Sequence, residues 1–157
     1  RAVIFTQGCS LHCPGCHNPQ TWDFEDGLEA TEDDIIGHIL EILNANGVKR
    51  NLSILGGEPM CKHNADFIQL LIYWVKIRNP DIKIYLWSGY TLEQLKEKAK
   101  EDENIKYILD NINMLAAGPF ILAERDITLP FVGSRNQKVY FKNSEGEFYE
   151  KDFRDNT

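Results

Sequence analysis

The sequence has no apolar run that approaches the roughly 20 residues needed to span a bilayer, so we expect no membrane association. It is also short of basic residues, because 17 Lys and Arg stand against 24 Asp and Glu and give a formal net charge of -7. This deficit disfavours binding to a nucleic-acid backbone, which needs an excess of positive charge. A signal-peptide pattern is missing as well. Together these absences predict a cytoplasmic protein.

Cysteine is scarce, and four cysteines in 157 residues are too few for a disulfide scaffold. Three of them, Cys9, Cys13 and Cys16, nevertheless lie within a single short segment. In a cytoplasmic chain, such clustering indicates metal or redox chemistry rather than cross-linking. Cys61 stands apart at a predicted helix start, where a buried structural role is expected.

The chain is long enough for one domain with a buried core, since it has 157 residues and an apolar content of 43%. We therefore predict a single domain over residues 1–157. A strand pattern begins directly after Arg1, so we expect further residues to precede it.

Strand and helix patterns alternate along the chain. Apolar runs rich in β-branched residues predict strands at 2–6, 52–55, 82–87, 112–116 and 138–142. Helical spacing predicts helices from the Thr31 cap toward a stop at Gly47, then from 62 or 64 to 78, and from the Thr91 cap to 98. This alternation predicts an α/β fold with a mainly parallel sheet, and the last dozen residues are expected to be peripheral.

Three loops are expected to meet at one edge of that sheet. The cysteine loop, residues 56–59 and residues 88–90 each follow a predicted strand. Right-handed crossovers place such loops together at the carboxyl ends of the strands, where α/β proteins bind ligands. The sequence therefore predicts a ligand site at this edge.

The cysteine loop has the spacing C-x3-C-x2-C. Thiolates suit both iron–sulfur clusters and zinc. Three thiolates on a cluster of four irons leave one iron able to bind a small molecule. Alternatively, the loop holds zinc, with His12, His17 or Cys61 as the fourth ligand. Pro14 and Gly15 favour a tight turn between the second and third cysteines.

This spacing after a first strand resembles the signature of the radical S-adenosylmethionine (SAM) superfamily. Many members of this superfamily have an aromatic residue just before the third cysteine. This chain has Gly15 there, which resembles the branch of activating proteins, where glycine is common. The closer resemblance is to the activating proteins of anaerobic ribonucleoside-triphosphate reductase. It rests on segments that come in the family's order, at 8–9, 13–16, 18–22, 55–59, 86–90, 118–120 and 133–137.

The resemblance implies an open, partial (β/α) barrel of the radical SAM type, with a mouth wide enough for a loop of a partner protein. It implies a 4Fe-4S cluster on Cys9, Cys13 and Cys16, with SAM as the second cofactor. A one-electron reduction of SAM would give methionine and a 5′-deoxyadenosyl radical, which would remove a hydrogen atom from a glycine Cα of the reductase. A flavodoxin-like protein would donate the electron, and no acid–base residue is assigned.

The resemblance also implies roles for residues around SAM. Glu58 would supply negative charge to the SAM ammonium group, unless residues 56–59 form a simple turn with Glu58 in solvent. Ser88 would hydrogen-bond the ribose or carboxylate, or serve only as a loop residue. The residues assigned to cofactor binding are Gly15, Asn18, Gly56, Gly57, Glu58, Pro59 and Ser88.

One position departs from the family, which usually has Asp before the glycine of residues 118–120, where this chain has Ala116-Ala117. A polar contact is expected to be missing there. Two alternative functions are kept. One is activation of another glycyl radical enzyme of the pyruvate formate-lyase type, and the other is a non-catalytic metal-binding interaction module. Residues 133–137 are expected either to contact the reductase or to form a solvated turn.

Overall fold

The computed structural model describes residues 1–16, 19–25 and 31–153. Within them the strands are β1 (Ala2–Thr6), β2 (Leu52–Gly56), β3 (Ile84–Ser88), β4 (Met114–Ala117), β5 (Lys138–Lys142) and β6 (Phe148–Glu150). The α-helices are α1 (Glu32–Leu43), α2 (Lys62–Arg78), α3 (Leu92–Ala99) and α4 (Glu103–Asn111). No helix in this part of the chain is long and apolar enough to cross a membrane.

The strands form a mixed sheet whose spatial order follows the chain, from β1 to β6. The pairings β1–β2, β2–β3 and β3–β4 are parallel, and β4–β5 and β5–β6 are antiparallel. The expected α/β fold with a mainly parallel sheet is therefore confirmed. Because β1 to β4 run in the same direction, the loops that follow them start from one edge.

The main core lies between the sheet and its helices. The helix α2 buries Ala65, Ile68, Leu71, Ile72 and Val75, whose spacing places them on one face. They join buried residues of β2 and β3 in one apolar cluster. Full burial of each large aliphatic side chain stabilises the fold by about 1.5–3 kcal/mol. This packing fixes the strand ends that carry the site.

The opposite face of the sheet is more open at β1, where Val3 and Phe5 are 50% and 59% exposed. Further along this face, Met114, Ala116 and Val139 form a smaller buried cluster, against which Trp87 packs. An apolar face is thus covered at one end of the sheet and exposed at the other.

Several expected boundaries are corrected. The helix α1 ends at Leu43 with Asn44 as its C-cap, and Gly47 lies beyond it in a separate 3₁₀ turn. The strand β3 begins at Ile84, two residues after the predicted start. The helix α4 was not predicted, although Asp102 caps it. The last dozen residues contribute the short edge strand β6, which pairs with β5.

Candidate functional site

A cavity of about 470 Å³ opens at the carboxyl edge of the parallel strands. The loops after β1 to β4 all contribute to its wall, which confirms the predicted convergence. The lining residues from these loops and strand ends include Cys9, Leu11, Cys13, Cys16, Leu55, Gly56, Gly57, Glu58, Trp87, Ser88, Gly89, Ala116, Gly118 and Phe120. Of the other predicted site residues, Pro59 and Gly15 stand next to the wall in sequence, and Asn18 lies outside the described residues.

The cysteine loop contains the predicted tight turn. The backbone N–H of Cys16 donates to the carbonyl oxygen of Cys13 at 3.1 Å. Gly15 has a φ of 77°, which is the conformation that a type II turn requires at its third residue, after Pro14. A Cβ at Gly15 would also lie 2.8 Å from Cδ1 of Leu122. Gly15 therefore shapes the turn and lets the segment after β4 pack against it.

The donor set fits an iron–sulfur cluster. Cys9, Cys13 and Cys16 line the same cavity, and no disulfide joins the cysteines of the described chain. Burial raises the pKa of the Cys9 thiol, and Glu58 raises it further. Iron binding would displace that proton, because the thiolate is the ligand.

A mononuclear zinc site would need its ligands to converge on one point. Within residues 1–16, 19–25 and 31–153, no three His, Cys, Asp or Glu side chains are grouped so as to hold a single metal ion. His17, one of the candidate fourth zinc ligands, lies outside these residues, so zinc binding through it stays untested. A 4Fe-4S cluster would be held by Cys9, Cys13 and Cys16 and would supply one-electron chemistry at this site. His12, another candidate fourth zinc ligand, stacks on the ring of Trp22, with ring centroids 4.5 Å apart and an interplanar angle of 13°.

The first two strand ends approach each other closely. Gly56 has a φ of 111°, and a Cβ there would lie 2.3 Å from the backbone nitrogen of Thr6. The next residue, Gly57, donates its N–H to the carbonyl oxygen of Thr6 at 2.8 Å. Only glycine at position 56 permits this approach. The contact places the Gly56-Gly57 backbone beside the start of the cysteine loop.

Glu58 is buried, with 1% of its surface exposed. Its Oε2 atom accepts hydrogen bonds from the Ser88 hydroxyl at 2.7 Å and the Met60 N–H at 3.0 Å, and its Oε1 atom accepts from the Gly89 N–H at 2.7 Å. Burial raises its pKa to about 7, although these donors act in the opposite direction. The alternative of a turn with Glu58 in solvent is therefore wrong.

Ser88 is also buried, and its hydroxyl is committed within the protein. It donates to Glu58 and accepts a hydrogen bond from the Tyr90 N–H at 3.1 Å. Two of the predicted polar SAM-binding residues, Glu58 and Ser88, are thus brought together at the cavity, but they contact each other.

Sequence reasoning missed Asn64, which lies in the first turn of α2. Its side-chain amide donates to the carbonyl oxygens of Gly8 at 3.2 Å and Glu58 at 2.9 Å. It therefore ties the start of the cysteine loop to the loop after β2. The sequence signal available was an amide residue at a helix start, which is too common to identify the contact.

The side chains of segment 133–137 hydrogen-bond the loop after β4, and the expected contact of this segment with the reductase stays a prediction. Gln137 donates through Nε2 to the carbonyl oxygen of Gly118 at 2.9 Å, and its Oε1 atom accepts from the N–H groups of Gly133 and Ser134. Asn136 donates to the carbonyl oxygen of Pro119 at 2.7 Å. These side chains hold the loop after β4 in place.

The two alanines before Gly118 face different spaces. Ala116 lines the main cavity, whereas Ala117 lines a separate cavity of about 150 Å³ beside Thr91 and Leu92 at the start of α3. The departure from the family at position 117 therefore leaves the wall of the main cavity unchanged.

Residues 1–140 match the sequence family of the 4Fe-4S single cluster domain. Two similar proteins are both named anaerobic ribonucleoside-triphosphate reductase-activating protein. The one from Vibrio cholerae is 34% identical over 140 residues, which cover 89% of this chain and 86% of the relative. The one from Escherichia coli K12 is 33% identical over 144 residues, which cover 89% and 87%. A protein of the same name from Enterobacteria phage T4 is 33% identical over 108 residues, covering 69% and 65%.

Proposed function

Because the chain belongs to the family of anaerobic ribonucleoside-triphosphate reductase-activating proteins, we propose that it is a radical SAM activase. It cleaves SAM reductively and generates a glycyl radical on the anaerobic reductase. The observation that carries this proposal is the common cavity, whose wall contains the three clustered cysteines together with Gly56, Gly57 and Ser88.

In this proposal, Cys9, Cys13 and Cys16 hold a 4Fe-4S cluster. When bound, the cluster and SAM supply one-electron chemistry that yields methionine and a 5′-deoxyadenosyl radical able to remove a glycine Cα hydrogen. The protein's own contribution is to bind, orient and exclude water, so no acid–base residue is needed. The wall includes the aromatic rings of Trp22 and Phe131, which suit the exclusion of water.

The loops after β2 and β3 are proposed to bind SAM. The Gly56-Gly57 backbone lies beside the cysteine loop and would hold the methionine end, with Glu58 and Pro59 completing the turn. Ser88 would order the next loop, and Gly15 and Asn18 the cysteine loop. The cavity, at about 470 Å³, lies within the usual range of roughly 300–1,000 Å³ for small-molecule sites.

The sheet would form an open, partial barrel of the radical SAM type, and the exposed β1 face at Val3 and Phe5 would leave its mouth open. A glycine-bearing loop of the reductase could then reach the cavity. The proposal includes a flavodoxin-like electron donor and a cytoplasmic location, with neither nucleic acid nor membrane as a partner.

The test is anaerobic reconstitution with iron and sulfide, followed by reduction with dithionite in the presence of SAM and assay of 5′-deoxyadenosine. We expect product from the parent protein and none from Cys13→Ala. The matched control is Cys61→Ala, because Cys61 is buried at the start of α2 and is not among the residues that line the cavity. A colourless protein that holds one zinc ion and forms no product would refute the proposal.

Electron paramagnetic resonance of the partner distinguishes the activases. A glycyl radical should form on the anaerobic reductase in the presence of this protein, SAM and dithionite as the electron source. A radical formed only on an enzyme of the pyruvate formate-lyase type would show that this enzyme, and not the reductase, is the partner. SAM cleavage without a radical on either would leave the reductase assignment unsupported.

A further inference from the structure

The side chain of Glu58 connects two loops that line the cavity. It leaves the loop after β2 and accepts hydrogen bonds from Ser88 and Gly89 in the loop after β3, both at 2.7 Å. The residues involved are 30 and 31 positions away in the sequence. The third donor, the Met60 N–H, holds the carboxyl group against its own turn.

The backbone of Glu58 connects the loop after β2 to the cysteine loop. Its N–H donates to the carbonyl oxygen of Gly8 at 2.8 Å, directly before Cys9. Its carbonyl oxygen accepts from the amide of Asn64, which also binds Gly8. One residue therefore holds the cysteine loop with its backbone and the loop after β3 with its side chain.

The loop after β3 also packs directly on the cysteine loop. A Cβ at Gly89 would lie 2.3 Å from Cδ1 of Leu11, which stands between Cys9 and Cys13. A shift of Gly89 would therefore be transmitted to the cysteine loop through Leu11. The hydrogen bond from Gly89 to Glu58 opposes such a shift, together with those from the Gly118 N–H to the carbonyl oxygens of Ser88 and Tyr90.

We propose that Glu58 is a positioning residue that fixes the cysteine loop and the Ser88-Gly89 loop relative to each other. It acts on SAM through these loops and not through contact between its carboxyl group and the SAM ammonium. With 1% exposure and both oxygens already accepting protein hydrogen bonds, the carboxyl group has little capacity left for a ligand. This inference rests on the proposed function.

The experiment compares SAM with its deamino analogue, in which hydrogen replaces the amino group, in equilibrium binding to the cluster-loaded protein. In Glu58→Gln, the amide NH₂ must face a backbone N–H of either Met60 or Gly89, whichever way the amide is oriented. In the unbound variant the Ser88-Gly89 loop is expected to move so that this donor reaches water, and restoring the loop on binding should lower affinity by about tenfold. The loss should be equal for SAM and the analogue.

A direct contact predicts a different result, since Glu58→Gln would then weaken SAM alone and leave the deamino analogue unaffected. That outcome would overturn the inference. Glu101→Gln is the matched control, because Glu101 is exposed, follows α3 and is not among the residues that line the cavity. It should bind both ligands as the parent does.

Hydrogen–deuterium exchange of the peptide that carries Gly89 gives a readout independent of SAM. Exchange should be faster in Glu58→Gln, and unchanged protection would also overturn the inference. Ser88→Ala removes one of the three donors and serves as the milder variant if Glu58→Gln fails to retain its cluster. If the parent protein binds no SAM, the proposed function fails, whereas the exchange experiment still decides whether Glu58 holds the loops.

Discussion

Replacing Gly56 by alanine tests how closely the first two strand ends approach each other. Gly56 pairs with Thr6 in the parallel register of β1 and β2. A Cβ at position 56 would lie 2.3 Å from the nitrogen and 2.5 Å from the carbonyl oxygen of Thr6. Both atoms belong to the backbone, so no side-chain rotation can relieve the overlap.

The expected cost has two parts. A φ of 111° is left-handed backbone, which costs a residue other than glycine about 1–3 kcal/mol. Forcing a methyl group into the β1–β2 contact adds about 1–3 kcal/mol, the usual effect of overpacking. Together they predict that Gly56→Ala lowers the free energy of unfolding by about 2–6 kcal/mol. The Gly57–Thr6 hydrogen bond should be lost, and SAM cleavage with it.

The assay is anaerobic unfolding in urea, monitored by far-UV circular dichroism. Alanine variants of two other glycines serve as references. Gly146 has a φ of 79° but an open surrounding, so Gly146→Ala should cost only the strain, about 1–3 kcal/mol. Gly37 lies exposed inside α1 with no atom near its missing Cβ, so Gly37→Ala should stabilise the protein by about 0.5–1 kcal/mol. Equal costs at Gly56 and Gly146 would refute the close approach.

Two further predictions concern positions outside the main cavity. Ala117→Asp should leave the rate of 5′-deoxyadenosine formation per cluster within about twofold of the parent, because residue 117 faces the separate cavity beside α3; a tenfold change would show that residue 117 reaches the SAM site. Lys142 has a pKa lowered to about 8, chiefly by burial, so the unfolded state holds its proton more tightly than the folded state. The free energy of unfolding should therefore rise relative to Lys142→Met as the pH increases from about 8 toward 10.5, and parallel pH profiles from urea titrations would contradict this.

Parts of the fold could be predicted because local patterns determine them. The strand β5 was predicted with its observed bounds, and α2 with its end at Arg78 before Pro80. The helix α4 carried similar signals, since Asp102 caps it and its buried residues are spaced by three and four positions. The helix α4 is short and polar, so these signals could not be distinguished from the charged residues that precede it.

The burial of Glu58 could not be predicted, because it depends on contacts between distant segments. Nothing near Glu58 in the sequence indicates that Ser88 and Gly89 surround its carboxyl group. Local reasoning places a glutamate in a Gly-Gly turn either in solvent or facing a ligand. The observed position requires the register of β2 and β3, which is set by the whole sheet.

Three glycines at or beside the cavity have a common physical explanation in contacts between neighbouring segments of the chain. Gly56 is approached by the backbone of Thr6, Gly89 by Leu11, and Gly15 by Leu122. In each case the missing Cβ makes room for a neighbouring segment of this chain, and that requirement holds whether or not SAM is bound. Loss of activity on replacing one of these glycines would therefore not by itself identify a SAM contact. Only a comparison of ligands, such as SAM against its deamino analogue, separates a residue that touches the cofactor from one that shapes its site.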